Sequence, residues 1–326
     1  MMAFIARRLA RALLTVVCVS FLVFCLLDLA PGQYFDMIKL DQNISQETLA
    51  ALRSDYGLDR SLPVRYVDWL RSIGRGEFGF SFAYNSPVWP LVRVRLRNTL
   101  LLATTALFVS WLIAFLIGIW LAAHRNRWQD HLGGLGTTFL LALPEVLVGL
   151  GVLAFALRTH WFPTGGMTSL TFAEMGAFEK AGDVALHMFL PVSALVAGVL
   201  PVLVRHVRAA MIDVLHAPFI AAARTHGIPR RRLLLRHVLP AAINPLTSLF
   251  GISVGMLLGG SLLIEVIMSW PGIGPMLLQA ILERDSYVVI AIVMLSTLLL
   301  VTGNLIADAL LYFADPRIKE SRIREK

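Results

Sequence analysis

Residues 237–264 read HVLPAAINPLTSLFGISVGMLLGGSLLI and contain no aspartate, glutamate, lysine or arginine. About 20 predominantly apolar residues are enough for an α-helix to cross the ~30 Å hydrocarbon core of a bilayer. Comparable stretches recur along the chain, and they lack the alternation over about ten residues that is typical of barrel strands. The sequence therefore predicts an all-α, polytopic membrane protein with six transmembrane helices, near 9–29, 100–123, 132–157, 187–204, 242–267 and 287–312.

The overall composition excludes the common soluble classes. Of the 326 residues, 57% are hydrophobic and 15% are charged, against roughly 45–50% and 25% in a typical soluble domain. Mean hydropathy is +0.72. These values also exclude disordered, collagen-like and disulfide-scaffold proteins. A net charge of +8 is compatible with nucleic acid, anionic lipid or membrane topology, so the positions of the basic residues have to distinguish these.

The basic residues predict the orientation of the chain in the membrane. Short connections that face the cytoplasm carry an excess of lysine and arginine. Arg7, Arg8 and Arg11 precede the first span, residues 205–236 are rich in arginine, and residues 313–326 form a basic tail. We therefore expect both termini in the cytoplasm. The positive charge is explained by topology, and nucleic-acid binding is not expected.

The first span and the loop after it were each open to two interpretations. Residues 1–29 resemble a secretory signal, but Pro31 follows the small residue at the end of the span and makes a poor cleavage junction, so we expect a retained anchor. Residues 30–99 form a water-soluble outer loop with predicted helices at Gln46–Tyr56 and Pro63–Ser72. This loop is either a cap that meets a periplasmic partner or a segment that packs on the outer helix ends.

The inner loop, residues 205–240, carries a helix–glycine–helix pattern. Ile220–His226 is predicted to be helical, and Gly227 is well placed to end that helix. Pro229 is allowed next to the start of a second helix, Arg230–Leu239, which leads into the fifth span. Such an elbow is either a rigid docking element for a soluble partner or an interfacial helix whose arginines contact anionic headgroups.

At this elbow the sequence resembles the cytoplasmic coupling motif of ABC importer permeases, in the dipeptide/oligopeptide/nickel family. That motif reads roughly Glu-Ala-Ala, three residues, glycine, nine residues, and then an apolar residue, any residue, leucine and proline. Ala221 stands at the glutamate position and His237 at the apolar position, which are departures often seen in this subfamily. The coupling-loop residues implied by the resemblance are Ala222, Ala223, Arg224, Gly227, Pro229, His237, Leu239 and Pro240.

Further segments resemble the same family along nearly the whole chain. The long first outer loop is similar to that of the B-type permease subunit, in contrast to the C-type subunit. The other matching segments are Leu29–Gly32, Gly57–Arg60, Pro63–Tyr66, Gly76–Ser81, Trp161–Gly166, Glu265, Trp270–Gly274, Asn304–Leu305, Asp308 and Asp315–Arg317.

The resemblance implies an architecture and partners. It implies the transmembrane domain of a type I ABC importer over residues 100–312, in the bacterial inner membrane. It implies a C-type second permease, two ATPase subunits that bind ATP and Mg²⁺, and a periplasmic binding protein that delivers peptides or related small solutes. We expect no cofactor and no catalytic residue in this chain, which also lacks the G-x-x-x-x-G-K-[ST] phosphate-binding pattern.

Glu145, directly after Pro144, is the charged residue nearest the middle of a predicted span. A carboxylate at bilayer depth usually faces a cavity or a partner, and proline disturbs a helix at that point. Glu145 is therefore either a pore-lining acid that meets a cationic group, such as a peptide amino terminus, or an acid hydrogen-bonded between helices.

The fifth span carries two further candidate features. Glu265, with Trp270, Pro271 and Gly272 after it, is either part of an outer gate or a structural acid in a turn. Small residues four apart allow helices to pack closely in lipid. The face formed by Gly251, Gly255 and Gly259 therefore predicts close contact, either with the partner permease or within the subunit.

Two other function classes are disfavoured by the sequence. A secondary transporter that works without ATPases would be expected to have paired midplane ionisable residues in both halves, and Glu145 has no counterpart in the second half. A membrane enzyme would need a catalytic set, and neither G-x-S-x-G nor H-E-x-x-H occurs. The spacing of His206, His216 and His226 does not predict a metal site.

Overall fold

The computed structural model describes residues 2–29 and 60–314. The predicted helix Gln46–Tyr56 lies outside the described residues, whereas the one predicted at Pro63–Ser72 is observed at Leu62–Ile73. In chain order the elements are α1 Met2–Leu29, α2 Leu62–Ile73, β1 Phe80–Ser81, β2 Ser86–Pro87, α3 Val88–Ala123, α4 Trp128–Ala142, α5 Glu145–Thr159, a 3₁₀ turn Phe172–Glu174, α6 Ala177–Leu215, α7 Pro218–Thr225, α8 Arg230–Leu233, a π-helical segment Leu234–Val238, α9 Leu239–Ile267, α10 Ile273–Leu282 and α11 Ser286–Ala314.

The described residues include five helices that are long and apolar enough to cross a membrane. A sixth span is obtained if α4 and α5 are taken together. The five apolar segments are Arg7–Leu29, Val88–Ala123, Ala177–Leu215, Pro245–Ile267 and Ser286–Leu310.

The third predicted span, 132–157, is wrong as a single helix. The structure divides it into α4 and α5, which are bent by 99° relative to each other. Proline has no N–H to donate and disfavours helical backbone in the residue before it. Leu143 accordingly adopts extended dihedrals (φ −87°, ψ 123°), and Pro144 caps the start of α5.

Several helices extend well beyond their predicted bounds. Helix α3 begins at Val88, where we expected a start near residue 100, and α6 runs over Ala177–Leu215, where we expected 187–204. Hydropathy detects only the part of a helix that lies in the hydrocarbon. The first turns of α3 lower the hydropathy because they contain Arg93, Arg95 and Arg97. The predicted span therefore did not include them.

The described residues form two compact units, and the first comprises the described parts of Met1–Thr99 and Pro271–Leu299. Its apolar core contains Phe24, Trp69 and Ile290. The hairpin β1–β2 joins this unit through Ser81, whose hydroxyl donates to Asp285 over 2.5 Å. Burial raises the pKa of the Asp285 carboxyl, and the hydrogen bonds from Ser81 and from the backbone act in the opposite direction.

The second unit comprises Leu100–Trp270 and the described part of Leu300–Lys326. Helix α6 is its centre and contacts α4, α5 and α9. Leu195, Leu203 and Met211 of α6 are almost completely buried. Because α6 is surrounded by the other helices, it can hold the elbow that follows it in a defined position.

Candidate functional site

The elbow begins where α6 ends. Helix α7, Pro218–Thr225, is attached by Ile220, which is fully buried in the core of the second unit. Ala223 packs against the same core. Phe219 and Ala222 are exposed on the other side of the helix. Helix α7 therefore has one anchored face and one face available to another molecule.

Gly227 ends this first helix with a left-handed backbone. Its φ is +72°, and a Cβ built at this position would meet nothing within 4 Å. The requirement for glycine is therefore conformational and does not arise from crowding. The His226 amide donates to the Ala222 carbonyl over 3.3 Å, as expected at the end of a helix.

The elbow continues into the fifth span without a break. Pro229 lies directly before α8, and its carbonyl accepts a hydrogen bond of 2.9 Å from Leu233. The π-helical segment Leu234–Val238 follows, and both residues that flank it, Leu233 and Leu239, keep right-handed helical dihedrals. Residues 230–267 are thus helical throughout, over about 57 Å at 1.5 Å per residue. A π-helical turn inside an α-helix frequently marks a functional site.

The structure brings the predicted coupling residues together within this elbow. Arg224 belongs to α7, and Pro240 occupies the first turn of α9, where proline is tolerated. His237 and Leu239 are half-buried, and Pro240 is exposed. Their role in coupling stays a prediction.

Glu145 occupies the first turn of α5, at the bend inside the broken span. Its carboxylate lies against two glycines, Gly198 of α6 and Gly260 of α9. A Cβ built on Gly198 would lie 2.8 Å from Oε1, and one on Gly260 would lie 2.7 Å from the same atom. Each glycine therefore provides the space that the carboxylate occupies. The partial positive charge of the α5 N-terminus also favours an acid at this position.

Sequence reasoning did not identify the glycines as partners of Glu145. Gly260 directly follows the face formed by Gly251, Gly255 and Gly259, and Gly198 lies in an apolar span with no distinguishing pattern. The only available signal was the presence of glycine in two spans that also contain a proline. That signal is too common to predict a contact.

A buried ion pair at the inner ends of α4 and α6 was also missed. Arg208 donates to both carboxylate oxygens of Asp130, with distances of 2.5 and 2.7 Å. The Asn126 amide donates to the same carboxylate over 3.0 Å, and Asp130 is only 7% exposed. A bidentate geometry of this kind fixes orientation as well as charge. It ties α4 to α6 close to the elbow.

The four residues of the predicted outer gate are all at least partly buried. Glu265 and Trp270 belong to the second unit and are fully buried, and the Glu265 carbonyl accepts a 2.8 Å hydrogen bond from the Trp270 amide. In the first unit, the Pro271 carbonyl accepts from Asn98 Nδ2 over 2.9 Å. Gly272 is buried and caps α10. A role for these residues as a gate stays a prediction.

The three spaced glycines of α9 differ in their surroundings. A Cβ on Gly251 would lie 2.5 Å from Asn304 Oδ1, and one on Gly255 would lie 2.7 Å from Leu300 Cδ1, so both glycines face α11 of the same chain. Gly259 meets nothing within 4 Å among the described residues. The close contact predicted for Gly251 and Gly255 is therefore intramolecular in this structure.

The described residues contain no group of three or more histidine, cysteine, aspartate or glutamate side chains that could hold a metal ion. Cys18 is exposed and Cys25 is half-buried on α1, and both are free thiols.

Comparisons with known proteins match both parts of the chain. Residues 114–320 match the family described as "Binding-protein-dependent transport system inner membrane component". Residues 1–103 match the corresponding N-terminal family. Over 322 residues the chain is 34% identical to the oligopeptide transport system permease protein AppB of Bacillus subtilis, which covers 98% of this chain and 100% of that protein.

Other relatives are similar over their full length. The di/tripeptide transport system permease protein DppB of Pseudomonas aeruginosa is 31% identical over 343 residues, covering 99% of this chain and 100% of that protein. The glutathione transport system permease protein GsiC of Salmonella typhimurium is 30% identical over 320 residues, covering 98% and 99%.

One solved structure has the same fold. It is the inward-facing MetNI methionine ABC transporter, with a TM-score of 0.50 at 17% identity, covering 67% of this chain and 95% of that chain. The apolar spans agree with a family of inner membrane components. The chain belongs to the binding-protein-dependent transport system inner membrane components, and it is a multi-pass permease subunit of an ABC importer in the bacterial inner membrane.

Proposed function

We propose that this chain forms one half of a pore that imports peptides or related small solutes. A C-type permease supplies the other half, and a periplasmic binding protein delivers the substrate. Support for the substrate class comes from the relatives, whose names refer to oligopeptides, di- and tripeptides and glutathione. Residues 30–99 serve as the outer cap, 100–312 as the transmembrane domain and 313–326 as a basic cytoplasmic tail.

ATP is hydrolysed by two other chains, the ATPase subunits, which bind ATP and Mg²⁺. Each ATPase subunit receives a short cytoplasmic helix, and in this chain that helix is α7. Its exposed residues, including Phe219 and Ala222, form the contact, while buried Ile220 transmits force to the second unit. The resemblance of residues 222–240 to the coupling motif supports this assignment.

One observation carries the mechanical proposal: the second helix of the elbow, the glycine beside Glu145 and the gate candidate Glu265 lie on one helical stretch. Residues 230–267 are helical throughout, and they contain Gly260 and Glu265. A displacement of α8 is therefore transmitted along this stretch to Gly260, which lies against the carboxylate of Glu145. Packed helices shift between discrete arrangements, and this is how small movements at one site are amplified.

Glu145 is proposed as the pore acid that meets the cationic amino terminus of a peptide. It makes no ion pair with any side chain that the structure describes, and it is only half-buried. An intramembrane carboxylate is costly and is usually kept for function. The bend at Pro144 opens the third span at this depth, which gives a substrate access to the acid.

Co-purification tests the proposed assembly. A tagged version of this chain, extracted in mild detergent, is expected to bring down a second permease and two ATPase subunits. Native mass spectrometry of the eluted complex measures the stoichiometry. If the chain purifies alone and still transports substrate in liposomes without ATP, the proposal is wrong.

A further inference from the structure

A cavity of ≈ 780 Å³, lined by both apolar and charged side chains, opens between the inner ends of α3, α4 and α6, entirely within the second unit. Asp130, His131 and Gly134 line it from α4, and Arg205 and Arg208 line it from α6. Both members of the Asp130–Arg208 ion pair therefore form part of the cavity wall. The cavity lies apart from Glu145, which does not line it.

The charges in the cavity favour an anion. Asp130 is already engaged by Arg208 and by the Asn126 amide. Arg205 is exposed, and its side chain makes no ion pair or hydrogen bond with any residue in the described part of the chain. The Arg208 guanidinium is thus held in place by Asp130, and the Arg205 guanidinium is available to a ligand. Two guanidinium groups are suited to the planar, multidentate binding of phosphate.

The histidines of the cavity add further polar atoms. The Nδ1 atom of His131 lies 2.9 Å from the Arg127 carbonyl, and that of His206 lies 2.8 Å from the Val202 carbonyl. Because each Nδ1 donates to a carbonyl, Nε2 of each neutral ring is a hydrogen-bond acceptor, which suits a hydroxyl of a lipid headgroup. The cavity therefore combines fixed charge with adaptable hydrogen-bonding groups.

The position of the cavity indicates the headgroup level of the inner leaflet. Residues 124–131 and 205–236 lie on the side that the arginine distribution assigns to the cytoplasm. Trp120 and Trp128, at the inner ends of α3 and α4, are 49% and 68% exposed. Tryptophan is enriched at the membrane–water interface, where its ring lies among headgroups.

An apolar surface continues from the cavity along α4. Leu135 lines the cavity and is 67% exposed, and Leu132 and Phe139 are exposed beside it. A charged recess that opens onto exposed aliphatic and aromatic side chains matches a molecule with a phosphate headgroup and acyl chains. Basic pockets between transmembrane helices on the cytoplasmic side bind anionic lipid headgroups.

We propose that this cavity is a binding site for an anionic phospholipid of the inner leaflet. The phosphate lies between Arg205 and the Arg208–Asp130 pair, and the acyl chains lie along Leu135 and the α4 surface. Because α6 leads directly into α7, an occupied site would stabilise the helix that positions the elbow.

Lipid retention tests the proposal without relying on transport. The affinity-purified assembly is reconstituted into nanodiscs of phosphatidylcholine with a minor fraction of phosphatidylglycerol, and the lipids that remain bound after detergent extraction are measured by native mass spectrometry. We expect phosphatidylglycerol to be enriched over its bulk fraction. Arg205→Gln should reduce that enrichment about fivefold, as expected for one basic residue near anionic lipid. Arg158→Gln, an exposed arginine in the last turn of α5 and outside the cavity, is the matched charge control and should leave it unchanged.

A second pair of variants tests the cavity by volume. A Cβ meets nothing within 4 Å at either Gly134 or Gly136, both in α4, but only Gly134 lines the cavity. Gly134→Phe should abolish the enrichment, whereas Gly136→Phe should not. Unchanged enrichment in both Arg205→Gln and Gly134→Phe would overturn the proposal. That result is expected if the partner permease covers this face and keeps lipid out of the cavity. Displacement of the lipid by millimolar inorganic phosphate would also overturn it, because the site would then recognise free phosphate.

Discussion

Replacing Gly227 by valine is expected to abolish binding-protein-stimulated ATP hydrolysis and uptake, while membrane insertion is unaffected. Gly227 has a φ of +72°, which a β-branched residue adopts only as an outlier. Holding valine there costs about 1–3 kcal/mol, and the elbow can avoid that cost by changing shape. ATPase activity and uptake in proteoliposomes, normalised to protein in the membrane, measure the effect.

The surroundings of Gly227 allow a sharp control for this variant. A Cβ at this position has no neighbour within 4 Å, so a loss of activity cannot be attributed to a steric clash. Asparagine adopts the left-handed conformation far more readily than valine, so Gly227→Asn should retain most of the coupled activity. Coupled ATPase activity that is equal in Gly227→Val and wild type would show that this backbone conformation is not needed for coupling.

Replacing Glu145 by glutamine is expected to reduce uptake of peptides with a free amino terminus about 10- to 100-fold. That range follows from the roughly 1.5–3 kcal/mol of a hydrogen bond to a charged group. The side chain keeps its size, so assembly should be unchanged. Uptake of a radiolabelled peptide in proteoliposomes, compared with its N-acetylated analogue, measures the effect.

The N-acetylated peptide and one glycine variant serve as controls for Glu145. The acetylated peptide has no amino-terminal charge, so its uptake should be nearly the same for wild type and Glu145→Gln. In Gly260→Ala, the added Cβ would lie 2.7 Å from Glu145 Oε1. The carboxylate must then move, and uptake of the charged peptide should fall although the charge is retained. An equal effect of Glu145→Gln on both peptides would rule out recognition of the amino terminus.

Apolar runs and helix-stop residues were sufficient to predict most of the fold. The number and order of the spans follow from the charge-free stretches, because a bilayer requires a fixed apolar length. The helix at Leu62–Ile73 was predicted from Val64, Val67, Trp69 and Leu70. Of these only Trp69 is buried, and Val64 and Val67 are exposed. The stop at Gly227 follows from the preference of the left-handed region for glycine.

The features that the sequence did not predict depend on tertiary contacts. Pro144 indicated a disturbance, but a 99° bend is possible only because neighbouring helices accommodate it. The pairing of Asp130 with Arg208 joins residues 78 positions apart. The contact of Gly198 and Gly260 with the Glu145 carboxylate likewise requires three helices to come together. No local sequence pattern predicts that contact.

Site-directed photo-cross-linking from the elbow tests the central claim most directly, namely that α7 is the surface on which an ATPase subunit docks. Cys18 and Cys25 are replaced by serine, and a single cysteine is introduced at Thr225, which is exposed at the end of α7, for attachment of a benzophenone maleimide. Thr168→Cys, another exposed threonine, in the predicted outer loop before α6, is the matched control. In the purified assembly, we expect Thr225→Cys to give a cross-linked product of this chain with an ATPase subunit, and Thr168→Cys to give none. Absence of that product from Thr225→Cys, or its equal formation from Thr168→Cys, would contradict the claim.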